Sequence, residues 1–250
     1  MEKSAVSEKI DRADKVLVTL GHFESRSAAQ AAIAAGRVRV NGGTVTKPSE
    51  KIARDARIEA TKAHPWVSRA GIKLAHAIDQ FEIEVGSNVC LDLGASTGGF
   101  TDVLLAHGAA SVVAVDVGRG QLHPRIAGEP RVTALEGQDA RALTAEKIGA
   151  APSMIVCDAS FISLHKLLPA PLALAADNAV LIALFKPQFE VGRKHVGKGG
   201  IVTNSAAITL AETAFVEWLT AQGWPVIGRT DSPIKGGDGN AERLIYARRD

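Results

Sequence analysis

The chain has 250 residues, of which 46% are apolar and 22% are charged, and its formal net charge is only +2. This length is more than one ordinary compact domain needs, and the apolar fraction is high enough for a packed core rather than disorder. Two cysteines exclude a disulfide scaffold, and no apolar run reaches the roughly 20 residues that span a bilayer. Because the N-terminus also lacks the apolar core of a signal peptide, we expect a cytoplasmic protein.

The charge is unevenly distributed along the chain. Residues 1–62 contain 12 lysines and arginines against 8 acidic residues, whereas residues 63–250 contain 17 against 19. The near-neutral average argues against a nucleic-acid-binding protein, but the first quarter of the chain is basic. The imbalance is either chance or the mark of a basic N-terminal domain.

The basic quarter predicts two short helices followed by a tight β-structure. Apolar residues at helical spacing define the first helix, and Ser25 is a typical N-cap residue for the second. An Asn-Gly-Gly turn indicates a hairpin after the second helix. In chain order the predicted elements are helices over 11–20 and 26–35, a strand over 38–40, the turn at 41–43, a return strand from Val45, and one further strand through Ile52 and Ile58.

This quarter resembles the small RNA-binding domain named after ribosomal protein S4. The matching stretches, within about residues 9–60, are Arg12-Ala13-Asp14, Ser25-Arg26, Val38-x-Val40-Asn41-Gly42 and Lys47-Pro48. The resemblance implies recognition of folded RNA through its backbone and shape, since the segment has a single aromatic residue for base stacking. Arginines bind phosphate well, and the candidate RNA-binding residues are Arg12, Arg26, Arg37 and Arg39. A basic protein-docking module is the alternative.

The remainder of the chain predicts a linker and then an α/β domain. Pro65 disfavours helix at His64, which favours a linker over residues 63–70, and a helix is expected over 71–80. From residue 88 onward, apolar strands alternate with helices, which is typical of a doubly wound sheet. The seven predicted strands cover 89–93, 111–117, 132–135, 153–157, 180–185, 224–229 and 244–247. We therefore expect an α/β protein: a small α+β domain (1–62), a linker (63–70) and a Rossmann-like seven-stranded domain (71–250).

A glycine-rich turn follows the first strand of the α/β domain. It lacks the Lys-Ser/Thr ending of a P-loop, and its glycine spacing differs from the dinucleotide-binding fingerprint. Asp116 ends the next strand, where a carboxylate accepts hydrogen bonds from ribose hydroxyls. The pattern suits an adenosyl cofactor with an amino-acid tail. We expect Asp92 to bind the ammonium group of that tail and Asp139 to reach the adenine amino group. The residues of the turn are Gly94, Ala95, Ser96, Thr97, Gly98 and Gly99.

The segment from Asp92 to Thr101 resembles motif one of the S-adenosylmethionine-dependent methyltransferases of the FtsJ type. With the S4-like domain before it, the chain resembles the TlyA family over nearly its whole length. Supporting stretches are Ser68-Arg69-Ala70-Gly71, Asp158-x-Ser160-Phe161, Lys186-Pro187-Gln188-Phe189-Glu190 and Gly197-Lys198-Gly199-Gly200. The resemblance implies S-adenosyl-L-methionine as cofactor, methylation of ribose 2′-hydroxyls in ribosomal RNA, with cytidine as the expected nucleotide, and ribosomal RNA or ribosomal subunits as partners. The family is also described as haemolysin-like.

Two charged residues, Asp158 and Lys186, each follow an apolar strand of the predicted sheet. Ligand sites lie outside the carboxyl ends of such strands, although either residue alone is equally consistent with an ordinary salt bridge. The family resemblance implies a Lys-Asp-Lys-Glu tetrad, which falls on Lys73, Asp158, Lys186 and Glu242. We expect Lys186 to be the base, Lys73 and Asp158 to position it, and Glu242 to hold the substrate hydroxyl or Lys73.

The sequence is consistent with three functions: a ribosomal RNA ribose 2′-O-methyltransferase, a haemolysin or membrane-active protein, and an RNA-binding protein with an inactive methyltransferase domain. The intact glycine turn and tetrad favour the first, and the lack of a spanning or cationic amphipathic helix counts against the second. We expect no membrane partner. The seven histidines show no metal-ligand spacing, so no metal is expected. Cys90 and Cys157 lie within apolar strands and are predicted to be buried thiols.

Overall fold

The computed structural model describes residues 10–249. These residues form two compact units that divide between Pro65 and Trp66. The first unit contains helices α1 (Ala13–Thr19) and α2 (Arg26–Ala34) and strands β1 (Ile10–Arg12), β2 (Val38–Val40), β3 (Gly43–Thr44), β4 (Lys51–Ala53) and β5 (Ile58–Ala60).

The first unit confirms both predicted helices and the hairpin between β2 and β3. The Ser25 hydroxyl accepts a hydrogen bond from the Ala28 amide at 3.2 Å, as expected of an N-cap residue. The first helix begins later than predicted because Ile10–Arg12 pairs with β4 as a strand. The single strand predicted through Ile52 and Ile58 is wrong, since β4 pairs with β1 while β5 pairs with β2.

The second unit is larger and alternates helices with strands. Its strands are β6 (Val89–Leu93), β7 (Ser111–Asp116), β8 (Val132–Glu136), β9 (Met154–Cys157), β10 (Val180–Phe185), β11 (Val226–Asp231) and β12 (Arg243–Arg248). Its helices are α3 (Ala70–Phe81), α4 (Gly99–Ala106), α5 (Pro124–Ala127), α6 (Ala145–Ile148), α7 (Leu164–Leu167), α8 (Pro169–Ala173), α9 (Pro187–Glu190) and α10 (Ser205–Ala221).

These strands form one seven-stranded sheet, which confirms the predicted Rossmann-like architecture. The strand order is β11-β12-β10-β9-β6-β7-β8, and the five strands from β10 to β8 are parallel. β12 runs antiparallel to both β10 and β11, so the sheet is mixed. An antiparallel pair needs no helical crossover, and a loop without a helix joins β11 to β12. The carboxyl ends of β6, β9 and β10 lie side by side.

Apolar side chains cover both faces of the sheet. On one face, Phe215 and Leu219 of α10 pack with Leu91 and Leu93 of β6. On the other face, Leu74 of α3 packs in a cluster that includes residues of α4. Two buried faces explain why the central strands read as unbroken apolar runs. The thiols at 90 and 157 are both fully buried within these clusters, as predicted.

Candidate active site

Asp158 and Lys186 meet at the carboxyl ends of β9 and β10. The Lys186 Nζ lies 2.6 Å from Asp158 Oδ1, and it donates hydrogen bonds of 2.9 Å to the Asp158 carbonyl oxygen and the Ser160 hydroxyl. Two of the three N–H donors of the ammonium group are therefore used in hydrogen bonds, and the Asp158 carboxylate adds an ion pair at close range. Adjacent strands therefore bring together the two residues that their sequence positions single out.

A second ion pair joins Lys73, in α3, to Glu242, immediately before β12. The Lys73 Nζ lies 2.5 Å from Glu242 Oε2, and the two side chains are only 9% and 3% exposed. Gly236 lies directly against the Glu242 side chain, where a Cβ atom would collide with the carboxylate. Because both charges are buried, each depends on the other for compensation.

All four of these side chains line one cavity of about 280 Å³ at the strand ends. A larger cavity of about 1140 Å³ adjoins it. The residues common to both walls are Gly94, Ser96, Asp158, Ser160, Phe161, Gln188 and Phe189. The two cavities thus meet beside the Asp158–Lys186 ion pair.

The glycine-rich turn closes one end of both cavities. Gly94 has a φ of +81°, and a Cβ atom there would lie 2.8 Å from the Ala159 Cα, so only glycine fits. Asp116 ties the turn to the end of β7, because its carboxylate accepts hydrogen bonds from the Ser96 amide at 2.8 Å and the Gly118 amide at 2.7 Å. The remaining predicted turn residues lie as follows: Ala95 and Thr97 line the smaller cavity, and Gly98 and Gly99 pack behind the turn against Ile126 and Ser68.

Asp92 lies beneath the turn and lines neither of these cavities. It is fully buried, and its Oδ2 accepts hydrogen bonds from the Thr101 amide at 3.0 Å and the Thr101 hydroxyl at 2.6 Å. Its Oδ1 is buried with no hydrogen-bond partner among the described residues. Burial raises the pKa of the Asp92 carboxyl to about 7. Its contact with a cofactor ammonium stays a prediction, while its contact with Thr101 fixes the first turn of α4.

Asp139 lines the larger cavity, as its position after β8 predicts. Its carboxylate pairs with Arg141 at 2.6 Å, and hydrogen bonds from the Arg141 side chain and amide hold the pKa of Asp139 below its usual value. Asp116 lines the same cavity. Two carboxylates therefore face this space from neighbouring strands, although both already accept hydrogen bonds from the protein.

The four predicted RNA-binding arginines divide into two pairs in the first unit. Arg12 and Arg26 both donate to Asp14, which is fully buried and also accepts a hydrogen bond from Gln30. These donors, with Arg12 the largest cause, hold the pKa of the Asp14 carboxyl well below its usual range. Arg37 and Arg39, by contrast, are exposed beside and on β2. The first pair is oriented by an internal carboxylate, and the second extends into solvent.

One exposed aromatic residue at the cavities was not predicted as a site residue. Phe161 is 91% exposed and has a φ of +68°, a conformation that is rare for a bulky side chain. Its ring lies 5.4 Å from that of Phe189, between centroids, and both rings line both cavities. Sequence patterns do not reveal it because an aromatic residue after an apolar strand is usually assigned to the core.

Comparison with known families accounts for both units. The model of the FtsJ-like methyltransferases matches residues 66–249, which is the unit that carries the cavities. The chain belongs to the TlyA family of FtsJ-like methyltransferases. The S4 domain model matches residues 11–58, the unit with the four arginines.

Relatives resemble the chain over both units. It is 42% identical to the 16S/23S rRNA (cytidine-2′-O)-methyltransferase TlyA of Mycobacterium tuberculosis, across 95% of this chain and 89% of the relative. It is 41% identical to hemolysin A of Brachyspira hyodysenteriae, across 94% and 98%. A solved structure of a proposed hemolysin from Streptococcus thermophilus is 36% identical, with a TM-score of 0.75 over 97% of this chain and 90% of that one.

S-adenosyl-L-methionine is the methyl donor of this family, and the residues present fit it. Gly94, which has no room for a Cβ atom beside Ala159, brings the backbone of the turn to the wall of both cavities, and the Asp92 carboxyl beneath the turn has an Oδ1 without a hydrogen-bond partner among the described residues. Asp116 and Asp139 line the wall of the larger cavity. Among the described residues, no group of three or more potential ligands is arranged to hold a metal ion. No helix in residues 10–249 is long and apolar enough to cross a membrane.

Proposed function

We propose that the chain methylates ribose 2′-hydroxyls of cytidine in ribosomal RNA. The observation that carries this proposal is the convergence of two ion pairs, Lys186–Asp158 and Lys73–Glu242, on one cavity. This cavity adjoins the larger one, which Asp116, the predicted ribose-binding residue, lines. The printed activity of the Mycobacterium tuberculosis relative supports the choice of nucleotide and of ribosomal RNA. A substrate of this kind is consistent with a cytoplasmic enzyme.

Methyl transfer to a hydroxyl needs an aligned oxygen and a group that removes its proton. The bound cofactor supplies an electrophilic methyl group on its sulfonium. We assign Lys186 as the base: its Nζ takes the 2′-hydroxyl proton, and the methyl group would pass to the oxygen as its bond to sulfur breaks and the sulfur keeps the electron pair. The Asp158 carboxylate, the Asp158 carbonyl oxygen and the Ser160 hydroxyl surround Nζ and hold it in the wall of the smaller cavity. A base needs a free lone pair, so the form of Lys186 that accepts the hydroxyl proton is the uncharged amine.

Asp158 and the Lys73–Glu242 pair position the acceptor. Asp158 contacts Lys186 through both its carboxylate and its carbonyl oxygen, which fixes the direction of Nζ. Lys73 and Glu242 pair through Nζ and Oε2 within the same wall, and because an ammonium has three N–H donors, Lys73 can bind the ribose oxygen while it stays paired. We infer that Glu242 fixes Lys73 and that Lys73 orients the 2′-oxygen toward the junction of the cavities.

RNA binding is divided between the two units. The exposed guanidinium groups of Arg37 and Arg39 suit phosphate contacts, which supply affinity without sequence preference. Arg12 and Arg26 keep about 39% and 56% of their side chains exposed while paired to Asp14, so they present fixed donors to a phosphate. The exposed Phe161 ring, which lines both cavities, suits stacking with an unstacked nucleotide base of the RNA.

The direct test incubates the protein with labelled S-adenosyl-L-methionine and ribosomal subunits that lack the modification. We expect label on the ribose of cytidine, located by mapping the methylated nucleotide. Absence of transfer to any ribosomal RNA would refute the proposal. A second function is named by the hemolysin relative, and its test is lysis of erythrocytes by the purified protein. Lysis without methyl transfer would favour that function.

A further inference from the structure

Glu190 is a buried carboxylate near the site that the tetrad does not use. It ends α9, four residues after Lys186, and its side chain is only 4% exposed. Its Oε1 accepts a 2.8 Å hydrogen bond from the Leu164 amide, and its Oε2 lies 3.8 Å from His165 Nδ1. Burying a carboxylate costs free energy unless the carboxylate accepts hydrogen bonds, and Glu190 accepts one from the backbone of another segment.

The Leu164 amide belongs to a helix terminus, and its hydrogen-bond partner comes from outside that helix. Leu164 is the first residue of α7, and the Ser163 side chain before it makes no capping hydrogen bond. The first amides of a helix have no partner within the helix, and a side-chain oxygen usually supplies one from the N-cap position. Here Glu190 supplies that oxygen from α9, which links two segments that are separate in sequence.

The two linked segments carry five of the seven residues that line both cavities. The segment from Asp158 to Leu164 meets the segment from Lys186 to Glu190 at three places. These contacts are the bonds of Lys186 to Asp158 and Ser160, the ring contact of Phe161 with Phe189, and the bond of Glu190 to Leu164. The last contact holds the far end of a segment whose middle residue, Phe161, has a strained backbone.

We propose that Glu190 is a positioning residue, which holds the segment from Asp158 to Ser163 against the Lys186 segment and so fixes Asp158, Ser160 and Phe161 for the acceptor nucleotide. The inference rests on the proposed methyltransferase function and deepens it. Burial raises the pKa of Glu190 to about 7, and both its neutral and its ionised form offer an oxygen to the Leu164 amide. An amide side chain of the same length offers that oxygen as well, so Glu190→Gln should preserve the contact.

The test combines amide hydrogen exchange with methyl-transfer kinetics on Glu190→Ala, Glu190→Asp and Glu190→Gln. In Glu190→Ala we expect faster exchange at Leu164 and a fall in kcat of about tenfold or more, since small misplacements of reacting groups are costly. Glu190→Asp should show both effects to a smaller degree, and Glu190→Gln should stay near wild type. Cofactor affinity, measured by calorimetry, should not account for the loss of kcat.

The matched control is Glu212→Gln, which alters a buried carboxylate of α10 that pairs instead with Arg229 and Arg243. We expect it to lower the melting temperature while leaving exchange at Leu164 unchanged. Faster exchange in Glu190→Ala with wild-type kcat would show a purely structural cap and overturn the inference, as would unchanged exchange. If the wild-type protein transfers no methyl group, the proposed function fails, and that result is separate from the exchange comparison.

Discussion

Replacing Asp92 by asparagine should make the cofactor-free protein more stable at alkaline pH. Burial raises the pKa of this carboxyl from 3.8 to about 7, a shift that corresponds to about 4 kcal/mol. Asparagine has the same shape, and its carbonyl oxygen can still accept the two hydrogen bonds from Thr101 that Oδ2 accepts. It differs chiefly in that it cannot ionise.

The sign of the effect follows from proton linkage. The folded protein holds the Asp92 proton more tightly than the unfolded chain does, so unfolding releases this proton between pH 3.8 and about 7. The contribution of Asp92 to the free energy of unfolding therefore falls as pH rises through this window and is level above it. Relative to wild type, Asp92→Asn should be close to equal in stability near pH 4 and up to about 4 kcal/mol more stable at pH 8.

Urea unfolding of both cofactor-free proteins from pH 4 to pH 8 measures the difference. Asp139→Asn is the control, because the pKa of Asp139 is lowered rather than raised and its removal should not stabilise the protein at pH 8. Calorimetry should show weaker binding of S-adenosyl-L-methionine to Asp92→Asn, since the charge beneath the turn is lost. A stability difference that does not change with pH, or a less stable variant at pH 8, would refute the reasoning.

Three further predictions concern the other parts of the site. Glu242→Ala leaves the Lys73 ammonium buried without a partner and should cost about 3–5 kcal/mol in urea unfolding, and the double variant with Lys73→Met should recover much of this loss. Phe161→Ala should leave the melting temperature and cofactor affinity unchanged. In steady-state kinetics it should lower kcat/KM for the RNA substrate by an amount equivalent to about 1–3 kcal/mol. Arg37→Ala with Arg39→Ala should weaken RNA binding regardless of sequence and reduce the slope of log affinity against log salt by about 1 to 2 in filter-binding titrations.

The sheet and its strand ends could be predicted from the sequence because local patterns determine them. Apolar runs located the strands, and the parallel order of β9 and β10 placed Asp158 beside Lys186. Lys73 and Glu242 could be paired only through the family resemblance, because 169 residues separate them and tertiary packing of α3 against β12 brings them together.

Other features depend on packing that no sequence pattern records. The contact of Asp92 with a cofactor ammonium stays a prediction, whereas its burial beneath the turn and its hydrogen bond from the Thr101 hydroxyl depend on how the turn packs. The backbone at Phe161 has a positive φ, a conformation that phenylalanine rarely adopts, so a sequence pattern does not predict this exposed ring. The role of Glu190 as a helix cap could not be predicted, since its partner Leu164 lies in a different segment.

Methyl transfer by Lys186→Ala tests the central claim most directly. The experiment compares this variant with wild type on unmodified ribosomal subunits with labelled S-adenosyl-L-methionine, and calorimetry confirms cofactor binding in both. We predict cytidine 2′-O-methylation by the wild-type protein and a rate loss of about 10²–10⁴-fold in the variant, with cofactor affinity retained. Full activity in Lys186→Ala, or no methylation by the wild-type protein, would contradict the account.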